Sequence, residues 1–202
     1  MNAGHFLAIF ISSIFVSNVI LSRFLGLCSF IAISKETRPA LAMSSAVLFV
    51  IVMSSAITWV VYNYLLIPFD LAYLRTISFI LVIASCVQLV EMVIRKFMPA
   101  LYRVFGIYLP LITVNCAVLG VAVLNTDMFF SRGKPLPGSF IFSVFQGVCV
   151  GIGYTLAMLL MSAIRERLEY SRVPEAVREF PIAFVTASLM SLSFMGFNGF
   201  RF

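Results

Sequence analysis

Six stretches of this chain, at about 5–25, 40–66, 71–94, 101–124, 138–164 and 180–199, are long and apolar, with very few charges inside them. Each is long enough to cross a hydrocarbon layer of about 30 Å at about 1.5 Å per helical residue. Inside lipid every backbone N–H and C=O must find a partner within the protein, and uninterrupted stretches of this length achieve that as helices. The constraint therefore points to an all-α integral membrane fold with six transmembrane helices. Composition agrees: 62% of the 202 residues are hydrophobic, only 11% are charged, and the mean hydropathy is +1.08. A water-soluble domain has roughly a quarter of its residues charged. The net charge of +6 does not indicate nucleic acid, because the basic residues lie in short clusters between apolar stretches and form no dense run. The first stretch has no basic leader and no clear small-residue cleavage site, so it is expected to be retained as a helix.

Breakers and charges fill the intervals: Ser34–Pro39, Ile67–Asp70, Arg95-Lys96 with Pro99, Asn125–Pro137, and Arg165–Glu179, the last read as a charged amphipathic segment. The first, third and fifth connections hold Arg23, Lys35, Arg38, Arg95, Lys96, Arg103, Arg165, Arg167, Arg172 and Arg178, ten cations. The other side holds Arg75, Arg132, Lys134 and Arg201, four. Ten against four puts the odd connections in the cytoplasm and both termini on the periplasmic side. The single polytopic domain, 1–202, divides into repeat one at about 1–97 and repeat two at about 98–202. Three helices per repeat is an odd number, so the second repeat is expected to lie inverted. Thr76–Ile80 in the third stretch echoes Pro181–Val185 in the sixth, and Arg38-Pro39 echoes Lys134-Pro135.

The first helix of each repeat is expected to be discontinuous. The run from Phe6 to Ile33 is interrupted by Arg23 and Gly26, and the fourth stretch carries Pro110, which removes a backbone hydrogen bond. Breaks at matching places in two repeats point to a site near the membrane midplane. Each broken stretch carries one cysteine, Cys28 beside Gly26 and Cys116 beside Asn115. Such cysteines are either small buried hydrophobes or ligands. Two thiolates cannot complete an iron–sulfur site, since a [2Fe–2S] cluster takes four, so a ligand role would require two more from a second chain. Cys86 and Cys149 have no break beside them and are read as packing residues. Asn115 is a candidate half-helix cap or ligand neighbour, and Asn18 and Asn198 are candidates for bonding helix to helix. Glu91 and Arg95 are spaced to pair on one helix face. Asp70 and Asp127 are read as solvated outer acids, and His5 is assigned no role. No P-loop or dinucleotide glycine pattern is present, so nucleotides would bind elsewhere.

Four motifs carry a resemblance over nearly the whole chain. They are Phe24–Cys28, Leu109–Val121, Ile164–Leu168 and Leu189–Phe197. They resemble the A component of the Rnf electron-transport complexes, and less closely its sister, the E component of sodium-pumping NADH:quinone reductases. The stretch from Asp127 to Pro137 departs from the family by extra residues, and nothing in the sequence gives a role to the extended loop 125–137. The resemblance implies an inner-membrane component of a ferredoxin:NAD oxidoreductase coupled to Na⁺ or H⁺ movement. It implies that Cys28 and Cys116 are iron ligands supplying half of a [2Fe–2S] cluster, supported by Gly26 and Asn115. The other half would come from the inverted sister subunit, Rnf E. Inverted repeats with broken helices equally suit a secondary transporter without a redox centre, and a third reading is a structural scaffold in which both thiols only pack.

Overall fold

The structure is a computed structural model that describes residues 10–11, 13–14, 18–69, 72–97, 109–129, 139–170 and 180–196. Among them the regular structure is all helical: α1 (Leu27–Ile33), α2 (Thr37–Val61), α3 (Arg75–Phe97), α4 (Leu109–Thr113), α5 (Cys116–Phe129), α6 (Ser139–Glu169) and α7 (Phe180–Met195), with a π turn at Tyr62–Leu66 and a 3₁₀ turn at Ala72–Leu74. Three segments, Thr37–Leu66, Leu111–Met128 and Ser139–Leu168, are long and apolar enough to cross a membrane, and Arg75–Leu89 and Pro181–Met195 form shorter apolar helices. The chain is an all-α membrane protein, as its apolar stretches require.

Local chemistry sets the boundaries. Pro39 lies in the first turn of α2, where no intrahelical N–H partner is needed. At the other end the helix widens into the π turn, closed by Ile67 N–H on the Tyr62 carbonyl at 3.1 Å, and Pro68 follows. Two helices run further than expected. α5 continues through Asn125 and Asp127 to Phe129, and α6 continues through Arg165 and Arg167 to Glu169. The connections on either side are correspondingly shorter than the charges suggested.

The helices bury one apolar face and expose another. On α7, Ala183, Ala187, Met190 and Ser191 are buried at a helical spacing, while Phe184, Val185, Leu189 and Leu192 are exposed. On α3, Phe79, Ile83 and Val87 are buried, and Ile77, Ile80, Leu81 and Leu89 are exposed. A soluble helix would place charge on that outer face; apolar residues all round suit a helix whose outer face meets lipid.

The described contacts group the chain into two compact units. One comprises Met1–Leu48 with Cys149–Phe202, and the other is Phe49–Val148. In the first, α1 packs on α7, Gly151 lies against Leu48, and Gly153 lies against Ser13, Ile14 and Asn18. In the second, α3 packs on α4 and α5. There the Trp59 indole N–H donates to Ser139 Oγ at 3.0 Å, and its ring meets Phe140 edge-on at 5.2 Å. Arg75 pairs with Asp127 at 2.6 Å, so Asp127 is not merely a solvated acid. Asp70, His5 and Asn198 and the side chain of Arg95 lie outside the described residues.

Gly151 supplies a test of this close packing, of the kind small residues provide between membrane helices. A Cβ there would stand 2.8 Å from Leu48 Cγ and 3.3 Å from Leu48 Cα. Gly151→Ala is therefore expected to destabilise the protein by about 1–3 kcal/mol. An unchanged thermal midpoint in detergent would contradict the contact.

Candidate functional site at two helix breaks

The first break lies in the unit built from the two ends of the chain. Between Asn18 and Gly26 the backbone turns instead of continuing as a helix. Phe24 (φ 56°) and Gly26 (φ 92°, ψ 12°) both adopt left-handed conformations. Glycine adopts this at no steric cost, so Gly26 is where the chain can re-enter a helix, and α1 starts at the next residue. The exposed polar backbone of such a turn must be paired inside a membrane protein. Ser22 N–H bonds the Asn18 carbonyl at 2.8 Å and Leu25 N–H bonds that of Val19 at 3.1 Å. The Ser191 hydroxyl, from α7, donates to the Leu21 carbonyl at 2.8 Å. Phe30 N–H and the Ser29 hydroxyl both donate to the Gly26 carbonyl at 3.0 Å, and Ser29 Oγ also shares a 2.8 Å bond with the Tyr154 hydroxyl of α6.

Asn18 organises the start of this turn. Only 1% exposed, its amide nitrogen donates to the Ile14 carbonyl at 3.2 Å and the Gly153 carbonyl at 3.0 Å, and its amide oxygen accepts Ile20 N–H at 3.1 Å. The expected helix-to-helix bond is thus made to α6.

The second break lies in the other unit, at Val114-Asn115. Pro110 does not cause it. Pro110 is the second residue of α4, and a proline disturbs the turn before it, whereas this break comes after it. The stop comes where Asn115 N–H closes on the Ile112 carbonyl at 3.3 Å. The restart comes where the buried Asn115 side chain accepts Ala117 N–H at 3.0 Å and its carbonyl accepts Val118 N–H at 3.2 Å. Asn115 therefore caps α5, since a side-chain oxygen on an early N–H is how asparagine begins a helix.

Cys28 is the second residue of α1 and is exposed; Cys116 is the first residue of α5 and is half-buried. Both sequence-expected cysteines thus stand just beyond a break. Cys149 is buried and Cys86 half-buried, both within helices. Cys28 lines a cavity of about 660 Å³ with Leu27, Ile31 and Ala32 of α1, Phe184 of α7, Lys35 and Arg165. Arg165 Nη1 donates to the Ile31 carbonyl and Ser34 Oγ, each at 2.8 Å, and so caps the end of α1. The sequence reading missed this role, because Arg165 counted there only as a cytoplasmic charge. The signal available was its place at the end of a long apolar run.

The expectation of a [2Fe–2S] cluster with two ligands from this chain and two from a partner requires correction. Among the described residues no group of three or more His, Cys, Asp or Glu is gathered to hold a metal ion. Around Cys28 the cavity wall offers aliphatic and aromatic carbon and two cations, which add no anionic donor to the thiol. Metal sites need several converging donors, and this donor set does not fit the group.

Comparison with known proteins gives the site its context. Residues 6–201 match the model of a family described as "Rnf-Nqr subunit, membrane protein". The chain is 52% identical over 193 residues to the A subunit of the Na(+)-translocating ferredoxin:NAD(+) oxidoreductase complex of Acetobacterium woodii, covering 96% of each chain. It is 50% identical to the A subunit of the ion-translocating oxidoreductase complex of Azoarcus sp., covering 97% of each. With the protein of that name from Methanosarcina acetivorans it shares 48% identity, over 95% of this chain and 92% of the relative.

Proposed function

We propose, on the premise that this chain belongs to the Rnf-Nqr subunit family of membrane proteins, that it is the A subunit of an ion-translocating oxidoreductase complex. In that role it would couple electron flow between ferredoxin and NAD to movement of Na⁺ or H⁺. The names of its relatives support the complex and the coupling. Its partners would be the other subunits of that complex, including a sister subunit of inverted topology. On this reading the membrane would be the bacterial inner membrane, and the distribution of Lys and Arg supports placing both termini on the periplasmic side.

The observation that carries the reading is how the two broken segments pack. α1, from the first half of the sequence, packs on α7, from the second; α4 and α5, from the second half, pack on α3, from the first. Each unit thus sets one interrupted helix against the third helix of the opposite repeat. That exchange is what two inverted repeats of three helices would produce. At both breaks polar backbone is held inside an apolar protein, next to a cysteine. Negative charge arriving in a medium of low dielectric is poorly solvated, so a cation moving toward it is favoured. On this reading Cys28 and Cys116 are the functional thiols, and Gly26 and Asn115 fix where each half-helix begins.

The test is ferredoxin-dependent NAD reduction, with Na⁺ or H⁺ uptake, in inverted vesicles carrying Cys28→Ser, Cys116→Ser or both. Assembled complexes are expected to lose more than about 90% of turnover and of ion uptake together, the scale on which removal of a required group acts. Full turnover in the double variant would overturn the assignment of both thiols.

A further inference from the structure

The cavity of about 660 Å³ in the unit built from the two ends of the chain has a wall of two kinds. One face comes from α1. Leu27 and Ile31 are four residues apart, on the same side of the helix, and Lys35 follows at the same spacing just past its end. Phe184 of α7 adds an aromatic wall, and Arg165 of α6 stands where α1 ends. The cavity is therefore apolar beside the body of α1 and cationic beyond its last turn. Lys35 is exposed and Arg165 half-buried. Both Arg165 Nη1 hydrogens are taken, by the Ile31 carbonyl and Ser34 Oγ, each at 2.8 Å. That fixes the guanidinium and leaves its Nε–Nη2 edge, a planar fork that fits two oxygens of a phosphate. Neither that edge nor the Lys35 ammonium bonds a described residue. Among the described residues no acid lines the cavity to balance the two charges. Glu36 and Glu166 adjoin them in sequence, but neither belongs to the wall, and the Glu166 carboxylate accepts the Thr37 hydroxyl.

The two cations stand where the apolar runs ending at Ile33 and Ile164 give way to charge, the level of lipid headgroups. A pocket that is hydrocarbon at one end and cationic at the other is complementary to a molecule divided the same way, an anionic head on an acyl chain. A soluble anion would leave the apolar part of the wall wet, and an uncharged lipid would leave the cations without a counter-charge. We propose that this cavity binds an anionic phospholipid, its phosphate held by Lys35 and Arg165 and its acyl chain lying along Leu27, Ile31 and Phe184. The volume is that of a small-ligand pocket, enough for the phosphate and the first part of a chain, with the rest continuing into the bilayer. Cys28 is part of the same wall, so the chain also covers that thiol. The occupant follows from the chain's place in a membrane and does not depend on which electron carriers or ion its complex serves.

The experiment uses the purified whole complex, reconstituted in phosphatidylcholine vesicles with increasing phosphatidylglycerol. A membrane-permeant maleimide is added, and alkylation of Cys28 is timed by mass spectrometry of its peptide. Protection is the ratio of the rates without and with phosphatidylglycerol. Wild type is expected to be protected as phosphatidylglycerol rises. Lys35→Gln removes one cation from an exposed position, and its half-protecting content of phosphatidylglycerol should be about fivefold higher, the effect of one basic residue on an anionic lipid. Arg38→Gln removes an equal charge from an exposed position outside the cavity and should match wild type. Rates indifferent to phosphatidylglycerol overturn the site. So does an Arg38→Gln effect as large as that of Lys35→Gln, which would reveal only general surface charge. Equal protection by inorganic phosphate in detergent would replace the lipid with a soluble anion. A Cys28 that resists the reagent in detergent and in every vesicle would put a sister protein over the cavity, and also overturns the proposal. No readout here is ferredoxin-to-NAD turnover, so this site and the proposed function fail separately.

Discussion

Asn18→Leu is expected to destabilise the protein by about 3 kcal/mol, because it removes three buried hydrogen bonds worth about 1 kcal/mol each and leaves Ile20 N–H without its acceptor. Leucine keeps asparagine's heavy-atom count and branching and removes its hydrogen-bonding atoms. The loss falls on Ile20 N–H, which loses its acceptor, and on the Ile14 and Gly153 carbonyls, which each lose the amide's bond, although Gly153 lies within the α6 helix and keeps its place in that ladder. The two carbonyls belong to different segments of the unit, and the bond to Gly153 ties the start of the turn to α6. Hydrogen bonds between membrane helices average well below 1 kcal/mol when the unfolded state finds new partners. Here one amide serves three groups in a non-helical turn, and re-forming a helix to satisfy them would displace Gly26 and α1. Ser188→Ala is the control, since that exposed hydroxyl bonds only the Val185 carbonyl of its own helix. The thermal midpoint and assembled yield of the complex report the difference. An Asn18→Leu complex as stable as the Ser188→Ala control would show that the turn is held by something else.

Gly26→Val is the second substitution with a large expected effect. The glycine sits at φ 92°. A β-branched side chain there costs about 1–3 kcal/mol in backbone strain, and relief would require the entry into α1 to rotate. Cys28, two residues on, would be re-aimed, along with the cavity wall formed by Leu27 and Ile31. Turnover should therefore fall more than stability does. Asn115 offers a contrast, because its break depends on a side chain and not on backbone freedom. Asn115→Ser should retain the cap and Asn115→Ala should lose about 1 kcal/mol. If Gly26→Val kept full turnover in an assembled complex, the geometry of that turn would not matter to function.

The existence of both breaks was legible, but only one for the right reason. Gly26 was a sound marker because a left-handed residue favours glycine, and the structure uses it that way. Pro110 was misleading: a proline disturbs the turn before it, yet the break comes after it, at Val114-Asn115. Asn115, read from the sequence as a candidate cap, does the work through its side chain. Arg165 and Asp127 were placed in connections because charge usually marks a membrane boundary. Each proves to lie on a helix, bonded to Ile31 and Ser34 in the first case and to Arg75 in the second. The cavity that joins Lys35 to Arg165 could not be read at all, because packing alone decides which side chains of distant stretches share a wall. The residues suggested a pair of thiols and the resemblance turned them into iron–sulfur ligands, but the described residues do not assemble a metal's donors.

The division of the chain has a consequence for its biosynthesis. The unit Phe49–Val148 is one continuous segment, so all of its parts have left the ribosome soon after residue 148 is made. The other unit, in contrast, joins residues before Phe49 to residues from Cys149 onward. Through the synthesis of the hundred residues between, Asn18 waits for Gly153 and Leu21 waits for Ser191. During that interval the Asn18 amide and the Leu21 carbonyl lack these later partners, and a membrane insertase or a sister protein would have to shelter them until α7 is made.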